Sequence, residues 1–202
     1  MNKIVEGFKK CIRVVVKGAI YIWVKLYNRA EVRGKENIPK EGALIFCGNH
    51  KSYLDGPLIQ ATAGKKNIYF MVKAELYKNP FLHFLGWAFG TIPVSRDEKD
   101  LESIKQALKV IKRGDWFGIF PEGTRNGLAK GEAVKDGAAF FAIRTGAKVI
   151  PCGIKGGVKG NRKAIITYGK PLDFSQYKGK KDKETLELVT KEIMDNIIEL
   201  TK

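Results

Sequence analysis

The chain is short of acids, of cysteine and of histidine, and each shortage narrows what it can do. Only 21 aspartates and glutamates stand against 37 lysines and arginines, a formal net charge of +16 in 202 residues. A surplus of this size describes the partners a surface attracts rather than a fold, and nucleic acid, an anionic bilayer and phosphorylated small molecules all satisfy it. The 3 cysteines, Cys11, Cys47 and Cys152, form an odd set without Cys-x-x-Cys spacing. That excludes a disulfide framework and points to a reducing, cytosolic setting. Cys47 ends an apolar run, where cysteine behaves as a small apolar residue rather than a nucleophile. The 2 histidines are His50 and His83. A zinc site drawn from Cys47, His50, His83 and Cys152 would lack paired ligand spacing, so no metal is expected. No Gly-x4-Gly-Lys-Ser/Thr loop occurs, which removes the usual signature of nucleotide hydrolysis.

Long hydrophobic runs are missing as well. Residues 4–27 are apolar-rich, but Lys9, Lys10, Arg13, Lys17 and Lys25 interrupt them and leave 18–24 as the longest uncharged run. That falls far short of the roughly 18 apolar residues of a bilayer span, and no small-residue cleavage site follows. Apolar positions at Ile4, Phe8, Cys11, Ile12, Val15, Ala19, Ile22, Trp23 and Leu26 approximate helical spacing, and Tyr21, Trp23 and Tyr27 add interfacial aromatics. Residues 1–30 therefore read as an amphipathic membrane-docking arm, with a helix packed on the protein's own core as the alternative. Residues 31–202 read as one domain, a length that buries a sizeable core.

What is present is ordinary globular composition, 44% hydrophobic and 10% aromatic. Apolar runs at 42–47, 67–72, 116–120, 148–154 and 164–168 read as short buried strands. Leu101, Ile104, Leu108 and Ile111 mark a helix, residues 136–145 a second, and Leu186, Val189, Ile193 and Ile197 an amphipathic C-terminal one. Strands alternating with helices predict an α/β single domain with a largely parallel central sheet flanked by helices. Reactive loops in such sheets lie beyond the carboxyl ends of the strands.

Two polar loops occupy that position. Residues 49–55, with His50 and Asp55, follow the first strand, and residues 120–125 follow the third. Imidazole is the side chain whose ordinary pKa suits proton abstraction at neutral pH, and a carboxylate on its second nitrogen orients it and stabilises its cation. Residues five apart on a helix lie about 140° from each other, so pairing needs His50 in the loop and Asp55 at the helix start. Pro57 suits that first turn. Asp55 as a plain helix cap is the competing reading. Arg96 and Arg125, in glycine-containing loops, are the candidates for gripping a phosphate. Glu122 either holds a substrate hydroxyl or anchors Arg125 and its loop. His83 lies in an apolar helical stretch and reads as packed or interfacial.

Four blocks in order, Asn49-His50-x4-Asp55, Gly90-x2-Pro93-Val94-x-Arg96, Phe120-Pro121-Glu122-Gly123-Thr124-Arg125 and Val149-Ile150-Pro151, resemble the glycerophospholipid acyltransferase family. The resemblance is strongest to the bacterial 1-acyl-sn-glycerol-3-phosphate acyltransferases and covers residues 31–172. It implies transfer of a fatty acyl group from a thioester to the sn-2 hydroxyl of 1-acyl-sn-glycerol 3-phosphate, with His50 as general base and Asp55 as its partner. It also implies that Arg96, Glu122, Gly123, Thr124 and Arg125 bind the acceptor, that Lys73 adds a charge there, and that Pro151 shapes the acyl side. Acyl carrier protein or coenzyme A would carry the acyl group as co-substrate, with no further cofactor. Lysophosphatidic acid and an anionic membrane surface are the other implied partners, and the protein is expected on the cytoplasmic face of the cell membrane, peripheral or monotopic. Glycerol 3-phosphate or another lysophospholipid is the alternative acceptor. A basic nucleic-acid-binding module is the reading from another class, but it leaves the acid and base blocks unexplained, so no nucleic acid is expected. Ser95, where the family commonly has an acid, and Asn126, where it commonly has a serine, are departures that bear on acceptor preference.

Overall fold

A computed structural model describes residues 3–26, 29–95, 100–156, 163–180 and 182–202. In chain order the helices are α1 (Lys3–Leu26), α2 (Asp55–Thr62), α3 (Pro80–Phe89), α4 (Leu101–Lys112), α5 (Gly137–Thr145) and α6 (Lys183–Glu199). The strands are β1 (Glu31–Arg33), β2 (Leu44–Gly48), β3 (Ile68–Lys73), β4 (Ile92–Val94), β5 (Trp116–Ile119), β6 (Lys148–Gly156) and β7 (Ala164–Tyr168). Among the described residues these strands form one seven-stranded sheet in the order β1-β7-β6-β2-β5-β3-β4. Every pairing is parallel except β6 with β7.

A central parallel strand is covered on both faces and is therefore apolar throughout. β2 meets this condition: all of it is buried, with Ile45 and Cys47 facing one core and Leu44 and Phe46 the other. The first core takes its helical share from α4, α5 and α6, through residues such as Ala107, Ile111, Phe141, Ala142, Val189 and Ile193. The second takes it from α2, through Leu58 and Ile59, with Ala63 at its C-terminal cap. Local signals set the helix starts. Asn79 accepts hydrogen bonds from the backbone of Phe81 and Leu82 ahead of α3, with Pro80 in its first turn; Asp100 accepts from Ser103 ahead of α4 and Asp182 from Thr185 ahead of α6.

The predicted strands and helices are all present, and β1 and β4 are additional. Each is three residues long and lies at an edge of the sheet, β1 beside β7 and β4 beside β3. Elements this short carry no periodicity, and Pro93 in β4 cannot donate to a ladder, which an edge tolerates. Cys47 and Cys152 are buried on β2 and β6, where burial pushes both thiols far above their ordinary range and keeps them inert.

The N-terminal helix is oriented with its polar side inward. α1 packs over α2 and α3, and Lys9, Arg13 and Lys17, three of the cations that interrupt its apolar sequence, turn toward the protein, while Lys10 is exposed. Arg13 Nε donates to the carbonyl of Ala88 at 2.6 Å, and Lys17 Nζ donates to those of Gly64 and Lys66 at 2.9 Å each. Lys9 lies 4.8 Å from the centre of the Trp87 ring and pairs with Glu6. Burial, helped by nearby Lys35 and Arg13, lowers the Lys17 pKa to about 8, so the ammonium is still charged at neutral pH. The apolar side faces out: Ile4 is 79% and Leu26 77% exposed, and Phe8, Val15 and Ile22 are exposed between them. Phe81, Leu82, Phe84 and Trp87 on α3 are exposed too, and the Phe8 and Trp87 rings are 6.4 Å apart. Ile20 on the same helix is partly buried and packs against the second core, so α1 also contributes apolar contact to the body of the protein. Among the described residues no helix is long and apolar enough to cross a membrane.

Candidate active site

Because β2 and β5 are parallel neighbours, the loops after their carboxyl ends meet. The meeting point is His50. Its N–H donates to Glu122 Oε1 at 2.9 Å and its carbonyl accepts from Asn126 N–H at 2.7 Å, so the two loops are tied on both sides of one residue. Asn126 takes a left-handed conformation to do this, with φ 57°. Asn49, one residue earlier, is buried and locks onto β6: its amide donates to the Ile154 carbonyl at 2.9 Å and its oxygen accepts from Ile154 N–H at 2.7 Å. The backbone of His50 is thus tied on both sides to the loop after β5, and its neighbour Asn49 is anchored to β6.

The imidazole is held separately. His50 Nδ1 lies 2.9 Å from Asp55 Oδ2, and the same oxygen accepts the N–H groups of Lys51 at 2.6 Å and Ser52 at 2.7 Å. A carboxylate only accepts, so Nδ1 carries the proton and Nε2 is the basic nitrogen. Nε2 has no hydrogen-bond partner among the described residues, and the His50 side chain is 20% exposed while that of Asp55 is 4%. Asp55 is the first residue of α2 and reaches backward to residues 50–52 instead of forward to the helix amides, so it does not cap the helix. The Phe120 ring stacks on the imidazole, 4.3 Å between centres and 15° from parallel, and Phe70 stacks behind Phe120 at 5.7 Å. Gly118 makes room for this column, since a Cβ there would overlap the Phe70 ring. Carboxylate, imidazole and an open basic nitrogen form a unit that can take a proton from a bound hydroxyl and return it to a leaving group.

The sequence model of the family described as Acyltransferase matches residues 29–155, which include both loops and the strands that carry them. The chain belongs to that family. Its similarity to the 1-acyl-sn-glycerol-3-phosphate acyltransferase of Bacillus subtilis (strain 168) is 28% identity over 189 residues, covering 90% of this chain and 93% of the relative. The protein of the same name from Borreliella burgdorferi is 35% identical over 124 residues, but the match spans only 59% of this chain and 48% of that one. The crystal structure of the 1-acyl-sn-glycerophosphate (LPA) acyltransferase from Thermotoga maritima superimposes with a TM-score of 0.71 at 25% identity, covering 99% of this chain and 84% of that chain.

Around the base of this acyltransferase the structure distributes the remaining sequence candidates unevenly. The 120–125 loop is also braced within itself and by the segment that follows it: Gly123 N–H donates to Phe120 O at 2.9 Å, and the Thr124 hydroxyl donates to Glu132 at 2.6 Å. Arg125 is exposed, with its guanidinium 3.7 Å from the centre of the Tyr53 ring, which joins the two loops a second time. Lys73 is exposed at the carboxyl end of β3, the same edge of the sheet. Pro151 is buried inside β6, paired with Cys47, and its carbonyl accepts from Gly169 N–H at 2.9 Å. Arg96 lies outside the described residues. Asn49, Tyr53 and Phe120 enter through their contacts; each lies within a motif, but no local pattern gives its partner. His83 is exposed on α3 beside the Tyr77 ring.

Proposed function

We propose that the protein transfers a fatty acyl group from a thioester to the sn-2 hydroxyl of 1-acyl-sn-glycerol 3-phosphate, giving phosphatidic acid for phospholipid synthesis. The observation that carries this reading is the His50–Asp55 pair at 2.9 Å, with the second ring nitrogen open, at the junction of two loops in an acyltransferase fold. The acceptor is taken from the names of the relatives. Nε2 of His50 removes the hydroxyl proton as the oxygen attacks the thioester carbonyl carbon. The tetrahedral adduct then collapses, the C–S bond breaks, and the imidazolium returns the proton to the leaving sulfur, so that an ester and a free thiol leave. Asp55 stabilises the imidazolium. Arg125 and Lys73, joined by Arg96 from its place in the sequence, supply charge for the acceptor phosphate. Glu122 keeps His50 in place through its backbone, and Pro151 borders the acyl side. The thiol carrier is acyl carrier protein or coenzyme A. Mass spectrometry of the lipids made from lysophosphatidic acid with each donor tests this. Phosphatidic acid bearing the donor's chain is expected, and its absence with both donors from a folded protein contradicts the reading.

The outward apolar faces of α1 and α3 support docking on one leaflet, on the cytoplasmic side, where the acceptor resides. Each large apolar side chain moved out of water contributes about 1.5–3 kcal/mol, and the cationic surface adds attraction to anionic lipid. Replacing Ile4, Phe8, Val15 and Leu26 together by glutamine leaves the Arg13 and Lys17 ties intact, so the fold is expected to survive while co-sedimentation with anionic vesicles falls by at least about tenfold. Unchanged co-sedimentation would move the docking surface away from α1.

A further inference from the structure

Lys135 follows the 120–125 loop in sequence and returns to it in space. Its N–H donates to the Pro121 carbonyl at 2.9 Å, which brings the segment ahead of α5 back against the loop. Its side chain then runs along Gly123: a Cβ built on that glycine would lie 3.0 Å from Lys135 Cδ, 2.8 Å from Cε and 3.4 Å from Nζ. Gly123 is left-handed, with φ +66°, so the position needs glycine for its backbone and gives the freed space to the lysine stem. Lysine stems commonly lie along a protein surface while the ammonium stays in water, and Lys135 is exposed in this way. Its stem is laid across the turn between Glu122, which holds His50, and Arg125. Among the described residues its ammonium has no ion pair or hydrogen bond.

We propose that Lys135 is a further substrate-binding residue, whose ammonium grips a phosphate group beside Gly123. The inference rests on the acyl-transfer reading and adds to it a residue outside the four motif blocks. Two substrates bring phosphate to this loop, the glycerol phosphate of the acceptor and the nucleotide or pantetheine phosphates of the donor, and an ammonium recognises either by the same chemistry.

The test uses Lys135→Met and Lys135→Arg in the full chain, with lysophosphatidic acid or phosphate-free 1-monoacylglycerol as acceptor and acyl-coenzyme A or the phosphate-free acyl-N-acetylcysteamine as donor. Loss of one charge-assisted contact is expected to raise one KM about tenfold in Lys135→Met with kcat nearly unchanged, and Lys135→Arg should recover most of it. If the rise is in acceptor KM and disappears with monoacylglycerol, the phosphate is the acceptor's. If it is in donor KM and disappears with the N-acetylcysteamine thioester, it is the donor's. Unchanged KM values, or equal losses with phosphate-free substrates, overturn the proposal. A wild-type protein inactive on lysophosphatidic acid overturns the acceptor reading instead, which is a different outcome from an active wild type indifferent to position 135.

Discussion

Replacing His50 with alanine is expected to cut turnover at least about 100-fold, the usual contribution of a positioned base, without unfolding the protein. The loop ties at this residue run through its backbone N–H and carbonyl, which alanine keeps. Asp55 Oδ2 would lose the imidazole but still accept from Lys51 and Ser52, so no buried carboxylate is orphaned. What disappears is the ring and its stacking on Phe120. Turnover measured beside the thermal midpoint checks this, and a folded His50→Ala protein that keeps more than about a tenth of wild-type activity contradicts the general-base role.

Asp55 separates orientation from charge. Its one oxygen serves three donors, the His50 ring and two backbone N–H groups. In Asp55→Asn the amide oxygen can take all three, which keeps the imidazole in place but removes the negative charge that stabilises its cation. Turnover is expected to fall about 100-fold or more while stability stays close to wild type. Asp55→Ala leaves buried donors unmatched, at about 1–3 kcal/mol each, so it should lose both activity and stability. Were Asp55 only a helix cap, asparagine would substitute with little effect on rate. Chemical denaturation run beside kinetics on both variants distinguishes the two roles.

The parts of the fold that were legible in the sequence are those whose physics is local. The uninterrupted apolar run of β2 announces a strand buried on both faces, and the three-four-three spacing of Leu101, Ile104, Leu108 and Ile111 announces α4. The His50–Asp55 pair was legible for the same reason, because five residues spanning a loop and a helix start leave few geometries. Ties across the fold have no such signal. Nothing near Asn49 indicates that its amide will complete the backbone pairing of Ile154, 105 residues away. Nothing near Glu122 indicates that its carboxylate will hold the N–H of His50, 72 residues earlier. α1 shows a second kind of limit. Its spacing shows an apolar face and a basic face, but which one turns inward depends on the carbonyls of Gly64, Lys66 and Ala88 that receive Lys17 and Arg13.

The central claim, acyl transfer to the sn-2 hydroxyl of a lysophosphatidic acid, is tested most directly by following the acyl carbon. The purified protein is incubated with unlabelled 1-acyl-sn-glycerol 3-phosphate and a thioester labelled with carbon-13 in its acyl carbonyl, and the product is digested with phospholipase A2. The expected result is phosphatidic acid with one labelled chain, released entirely as the sn-2 fatty acid and matched mole for mole by free thiol, and formed at least about 100-fold more slowly by His50→Ala. Free labelled fatty acid without phosphatidic acid, or label retained at another position after digestion, would contradict it.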